Sequence, residues 1–158
     1  MGLRFEILWA GRNSPEPWES LCRDYCRRIE PWVPIRERPI RVPGKKEGIV
    51  RRRIEAEALR AATPGGALTV ALTDRGDLWS SERLAQETDR WRAEWPHEVV
   101  FYLGSDLGLD PELVASCRLR LAFGRVTLPH QLARLVLVEQ LYRALSINAG
   151  IHYHRATL

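Results

Sequence analysis

The strongest constraint in this sequence is a regular alternation of short apolar runs with longer amphipathic ones, joined by connections of a few residues. Residues 3–10, 33–42, 67–72, 98–103 and 118–122 read as strands, and helical patterns lie between and after them. Strands separated by helices pair in parallel through crossovers, not as hairpins. The expected fold is therefore α/β: a mainly parallel sheet with helices on both faces. The 158 residues fit one domain spanning 1–158, and no repeat, low-complexity stretch or long linker divides them.

The punctuation agrees. Gly11-Arg12-Asn13 closes the first strand, and Ser14-Pro15-Glu16 reads as a helix start with a capping hydroxyl, a first-turn proline and an acid at the dipole's positive end. That helix would bury Trp18, Leu21, Cys22, Tyr25 and Ile29 before Pro31 stops it. Residues 33–42 mix charges with prolines, as an edge strand does. A polar loop over 43–48 leads to a charged helix at 49–62, and a further helix spans 80–94. Asp110-Pro111-Glu112 caps a short helix, and 130–147 is a long one. From 132 to 145 this last helix is apolar around most of its circumference, with Arg134, Glu139, Gln140 and Arg143 as its main polar points. Such a helix is buried on more than one side, so the expectation is a core face and an oligomer face, with a purely internal core helix as the alternative, and Glu139 and Arg143 paired one turn apart.

Several classes are disfavoured. No run approaches the length needed to span a bilayer, and Glu6 interrupts the first apolar stretch, so the expected location is the cytoplasm. Three cysteines make a poor disulfide framework, and Cys22 and Cys26 read as reduced structural thiols. His130, His152 and His154 lack the cysteine or carboxylate that would complete a metal set, so no metal is expected. The net charge of +4 is modest, but Lys45 and Lys46 are the only lysines among 24 basic residues. Arginine suits phosphate and base stacking. The same bias also follows from a GC-rich genome.

Ligands in parallel α/β sheets gather at the carboxyl ends of strands. Here those ends are Leu72-Thr73-Asp74-Arg75-Gly76, Leu103-Gly104-Ser105-Asp106-Leu107-Gly108, and Phe123 to His130. None carries GxGxxG or GxxxxGK[ST], so a classical dinucleotide site or phosphate loop is not expected. The tail Ile151-His152-Tyr153-His154-Arg155 concentrates proton-transfer, stacking and phosphate-binding groups.

Thr127-Leu128-Pro129-His130, Arg134, Glu139-Gln140-Leu141-Tyr142-Arg143-Ala144, Ile147 and Tyr153-His154-Arg155 together resemble the C-terminal signature of the RlmH family. Gly11-Arg12, Tyr25, Arg27 and Arg28 agree more loosely, and the likeness covers essentially the whole chain. The resemblance implies a SPOUT fold with a C-terminal trefoil knot, a homodimer, and S-adenosylmethionine bound at Leu72, Gly104, Phe123, Gly124, Arg125, Val126, Thr127 and Leu128. It implies methylation of N3 of a pseudouridine in large-subunit ribosomal RNA, on the assembled ribosome. His154, Tyr153 and Arg155 are the expected catalytic group: His154, or a water it orients, takes the proton, Tyr153 positions the base and Arg155 holds phosphate. Arg134 and His130 are expected on the substrate side, Arg134 on phosphate, with a structural role as the alternative for His130.

In one place the chain departs from the family. Ser105 stands where the family usually has the second of two glycines, and serine tolerates positive φ poorly, which bears on the shape of the cofactor pocket. Two other readings follow: a catalytically silent, dimeric RNA-binding protein of the same fold, or a methyltransferase with another RNA target.

Overall fold

The computed structural model describes residues 2–94 and 98–153. The elements run β1 (Arg4–Ala10), α1 (Trp18–Ile29), β2 (Ile35–Ile40), α2 (Gly48–Ala62), β3 (Leu68–Leu78), α3 (Ser81–Glu94), β4 (Glu98–Leu103), α4 (Pro111–Ser116), β5 (Leu119–Ala122) and α5 (His130–Asn148). The five strands form one sheet in the order β2-β1-β4-β3-β5, and every pairing is parallel. The α/β expectation holds, with β2 at one edge carrying Pro39.

The two-residue strand period sorts side chains onto two cores. Phe5, Ile7 and Trp9 of β1 and Val99, Phe101 and Leu103 of β4 point to the face covered by α1, α3 and α5. Leu8, Val100 and Tyr102 point the other way, against Ala56 and Leu59 of α2 and Leu113 of α4. The central strands are thus buried on both sides, which is why they read as nearly unbroken apolar runs. Helix α5 packs against both α1 and α3, and Leu137, Val138, Leu141, Ala144 and Leu145 are buried within one chain. Leu132, Leu135, Val136, Tyr142 and Ile147 on the same helix stay half-buried.

Asp110 caps α4 as its sequence implies, accepting hydrogen bonds from the amides of Glu112 and Leu113. The start of α1 differs from the reading. The helix begins at Trp18, and Ser14 is buried with its hydroxyl unpartnered instead of capping. A residue before proline is pushed out of helical conformation, so Glu16 ahead of Pro17 cannot continue a helix begun at Pro15. Glu16 instead accepts a hydrogen bond from the Ser20 amide in the first turn.

β3 also runs further than expected, to Leu78, because it resumes pairing after an excursion. Leu72 and Asp77 both register with Leu121, so residues 73–76 bulge out of the ladder. A Cβ on Gly76 would lie 2.7 Å from the Leu121 amide, so only glycine lets the strand return here.

Candidate active site

The bulge, the β4–α4 loop and the β5–α5 loop enclose a pocket of about 550 Å³ at the carboxyl ends of β3, β4 and β5. Its walls combine Leu72, Leu103, Leu121, Phe123 and Leu128 with the polar Thr73, Asp74, Ser105, Asp106 and Thr127. Of the residues expected to hold a cofactor, Leu72, Gly104, Phe123, Gly124, Val126, Thr127 and Leu128 all line it. Arg125 does not. Its guanidinium donates to the carbonyls of Asp74, at 2.6 Å, and Gly76, at 2.9 Å, and so ties the bulge to the β5–α5 loop.

Asp106, Leu109, Val114 and Ala133 also line the pocket, and sequence reasoning missed them as ligand-facing. Asp106 and Leu109 follow the carboxyl end of β4, and that position in a parallel sheet is the signal that points to them. Val114 and Ala133 lie on helices and read as ordinary core positions.

Gly104 sits where two backbones nearly touch: an added Cβ would lie 2.8 Å from both Cα and the carbonyl carbon of Gly108. Ser105, by contrast, is accommodated without strain, since among the described residues only glycines have positive φ. Its hydroxyl donates to Glu55 at 2.8 Å and accepts from the Leu107 amide, while its carbonyl accepts from Gly108. The serine therefore fixes the turn and couples it to α2. Ser105→Ala should cost about 1–2 kcal/mol, because it leaves the buried Glu55 carboxylate short of a donor. Urea unfolding of the two proteins measures this.

His130 lines the pocket at the start of α5, with its ring 6.4 Å from that of Trp9. Its Nδ1 is buried and has no hydrogen-bond partner. Burial, reinforced by the nearby Arg134 charge and opposed by Asp106, holds its pKa below the usual histidine range, so the imidazole is neutral near pH 7.

Arg134 corrects an expectation. It is 1% exposed, and its guanidinium is saturated by two forks. Nε and Nη2 donate to Glu37 at 2.7 and 2.9 Å, and Nη1 and Nη2 to Glu19 at 2.8 and 3.0 Å. The Trp9 ring covers it at 4.4 Å. Burial works against its charge, but the hydrogen bonds it donates to Glu37 and Glu19 outweigh that and raise its pKa. The Arg134 hydrogen bond in turn lowers the pKa of Glu19. A group so enclosed cannot reach an RNA phosphate; it is an internal tie between α1, β2 and α5.

The tail begins elsewhere. The Tyr153 hydroxyl donates to Glu139 at 3.0 Å and lies 3.3 Å from that of Tyr25. Its ring meets Tyr142 edge-on at 4.7 Å, and Arg143 lies 4.8 Å above it. Arg143 and Glu139 are paired as expected, at 2.6 Å. Burial, the Tyr25 hydrogen bond and the Glu139 charge push the Tyr153 pKa above its ordinary value, so the phenol stays protonated. Along α5, Arg143 is about 20 Å from His130, so one chain does not bring Tyr153 to the pocket. His154 and Arg155 lie outside the described residues.

An α/β domain with a parallel sheet, whose pocket is built from the loops after three neighbouring strands, defines a class once compared with known proteins. A family model described as predicted SPOUT methyltransferase matches residues 3–154, and the chain belongs to that family. A probable methylase family protein from Haemophilus influenzae Rd KW20 shares the fold, with a TM-score of 0.52 at 12% identity, covering 99% of this chain and 71% of that one.

Curated relatives named ribosomal RNA large subunit methyltransferase H narrow the grouping. That of Desulfotalea psychrophila is 36% identical over 153 residues, covering 97% of this chain and 100% of that protein. That of Rhodospirillum centenum is 38% identical over 154 residues, covering 98% and 100%. Within the SPOUT methyltransferases, the chain is thus a member of the large subunit methyltransferase H group.

Proposed function

We propose that this chain transfers a methyl group from S-adenosylmethionine to N3 of a pseudouridine in large-subunit ribosomal RNA, on the assembled ribosome in the cytoplasm. The observation that carries the reading is the convergence of Leu72, Gly104 and residues 123–128, apart from Arg125, on one pocket. The residues present fit the cofactor. The pocket volume of about 550 Å³ suits a ligand of that size. Leu72, Phe123 and Leu128 offer apolar surface for the adenine ring, and the unpartnered His130 Nδ1 is a polar atom awaiting a ligand or water. The same reading gives the C-terminal part a trefoil knot, in keeping with the family's SPOUT fold.

When bound, S-adenosylmethionine supplies an electrophilic methyl carried on a sulfonium. The protein's task is to align the target nitrogen with that methyl and to remove the nitrogen's proton. His154 is proposed to accept it, with Tyr153 positioning the base and Arg155 holding phosphate. Tyr153 lies far from the pocket of its own chain, so this assignment needs a second copy whose tail serves the first copy's pocket. The half-buried apolar residues of α5 support a homodimer joined along that helix.

The silent RNA-binding alternative rested on Ser105, whose accommodation leaves no observation in its favour. The reading is tested by incubating the protein with labelled S-adenosylmethionine and large ribosomal subunits or whole ribosomes from a strain lacking the gene, then mapping the label by mass. Label on a pseudouridine in whole ribosomes is expected; label on another nucleotide would move the target, and none would remove the activity. His154→Ala should lower turnover by roughly 10²–10⁴-fold with cofactor affinity unchanged. Wild-type turnover would remove the base assignment.

A further inference from the structure

A second cavity, of about 400 Å³, opens beside the cofactor pocket at the carboxyl ends of β1 and β2. Ser105 and Asp106 line both, so one turn of chain is their common wall. The cavity is bounded by Gly11 and Arg12 after β1, by 41–44 and Lys46 after β2, and by Arg51 on the first turn of α2. Its cations divide into two kinds. Arg51 is committed to the wall, held to Asp106 at 2.5 Å and to Glu55 at 3.4 Å. Arg12, Arg41 and Lys46 form no ion pair among the described residues, and all three are exposed. The carboxylates facing the cavity, Glu55 and Asp106, are both paired with Arg51.

Three unpaired cations around a cleft, with its acids already neutralised, make a seat for a polyanion. Concave walls focus that positive field onto whatever enters. We infer that this cleft is a track for the RNA sugar-phosphate backbone, in which Arg12, Arg41 and Lys46 hold phosphates of nucleotides flanking the target. The inference rests on the methyl-transfer reading and adds to it where the substrate lies. Phosphate contacts of this kind set register and orientation, leaving selection of the base to the pocket next door. Arg51 fixes the wall between the two cavities, so RNA in the track and cofactor in the pocket touch opposite sides of one pinned turn.

The test uses the triple variant R12Q/R41Q/K46Q beside a control that removes the same charge at the amino ends of the strands, R60Q/R92Q/R118Q. Binding of each to large ribosomal subunits is measured by co-sedimentation, and binding to a labelled RNA hairpin by anisotropy at 50–200 mM salt. The first variant should bind RNA at least ~10-fold more weakly and lose about 2 from the log–log salt slope, because each neutralised phosphate contact contributes about 0.7–0.9. Its affinity for S-adenosylmethionine should be unchanged. Equal losses in both variants would show a diffuse charge effect and overturn the track, as would wild-type binding by the first variant or no RNA binding by the parent protein. If the first variant alone loses RNA but the parent methylates nothing, the track stands and the methyl-transfer reading falls. If methyl transfer proceeds with an unchanged KM for ribosomes in the first variant, the reverse holds.

Discussion

Arg134→Met is expected to destabilise the protein by about 3–5 kcal/mol at pH 7, more than any other single change considered. The substitution keeps the volume and removes the charge, so Glu19 and Glu37 face each other across a largely dry space with no counter-ion. In a chain of this size the melting temperature should fall by roughly 10 °C. The loss should depend on pH in a defined direction. Arg134 depresses the pKa of Glu19 in the folded state, so the stability it lends is present above the carboxylate's unfolded value and fades as pH falls through the folded one. The gap between the two proteins should therefore be widest near neutrality and narrow in acid. Urea unfolding at pH 7 and near pH 4 measures both. A gap that widens in acid, or a variant as stable as the parent, would refute the buried-network account.

Gly104→Val is expected to abolish measurable S-adenosylmethionine binding. Its Cβ would fall 2.8 Å from backbone atoms of Gly108, and backbone cannot swing aside as a side-chain tip can. The 105–108 turn must move, taking with it the Ser105 and Asp106 wall of the pocket. The flanking sheet does not depend on that turn, since β4 ends at Leu103. Calorimetric titration should thus show at least ~100-fold weaker binding, a loss of more than 2.7 kcal/mol, with the circular dichroism of the parent retained. Binding within a few-fold of the parent would place the cofactor elsewhere.

How much of this was legible beforehand depended on sequence distance. Period and punctuation gave the parallel α/β fold, the edge position of β2, the Asp110 cap and the Glu139–Arg143 pair, all of which are decided by neighbours a few residues apart. The carboxyl-end segments pointed to the pocket because topology forces them together. The role of Arg134 is not legible in the sequence, because its partners lie 115 and 97 residues away and an arginine on a helix looks the same whether it faces water or two carboxylates. The bulge at 73–76 was invisible for a similar reason: it exists because β5 accepts β3 twice at Leu121. For Ser105 the sequence offers only a backbone preference; the Glu55 acceptor across the turn on α2 is visible only in the fold.

The rims of the sheet carry a final implication. β2 alternates charges and includes Pro39, and β5 at the opposite rim is only four residues long. Neither offers the long, flat ladder that strays into intermolecular pairing, so both act as guards against fibrillar and amorphous aggregation. The same guards work against a continuous sheet across two subunits. The chain should stay clear and non-fibrillar at concentrations where an unguarded parallel sheet would not.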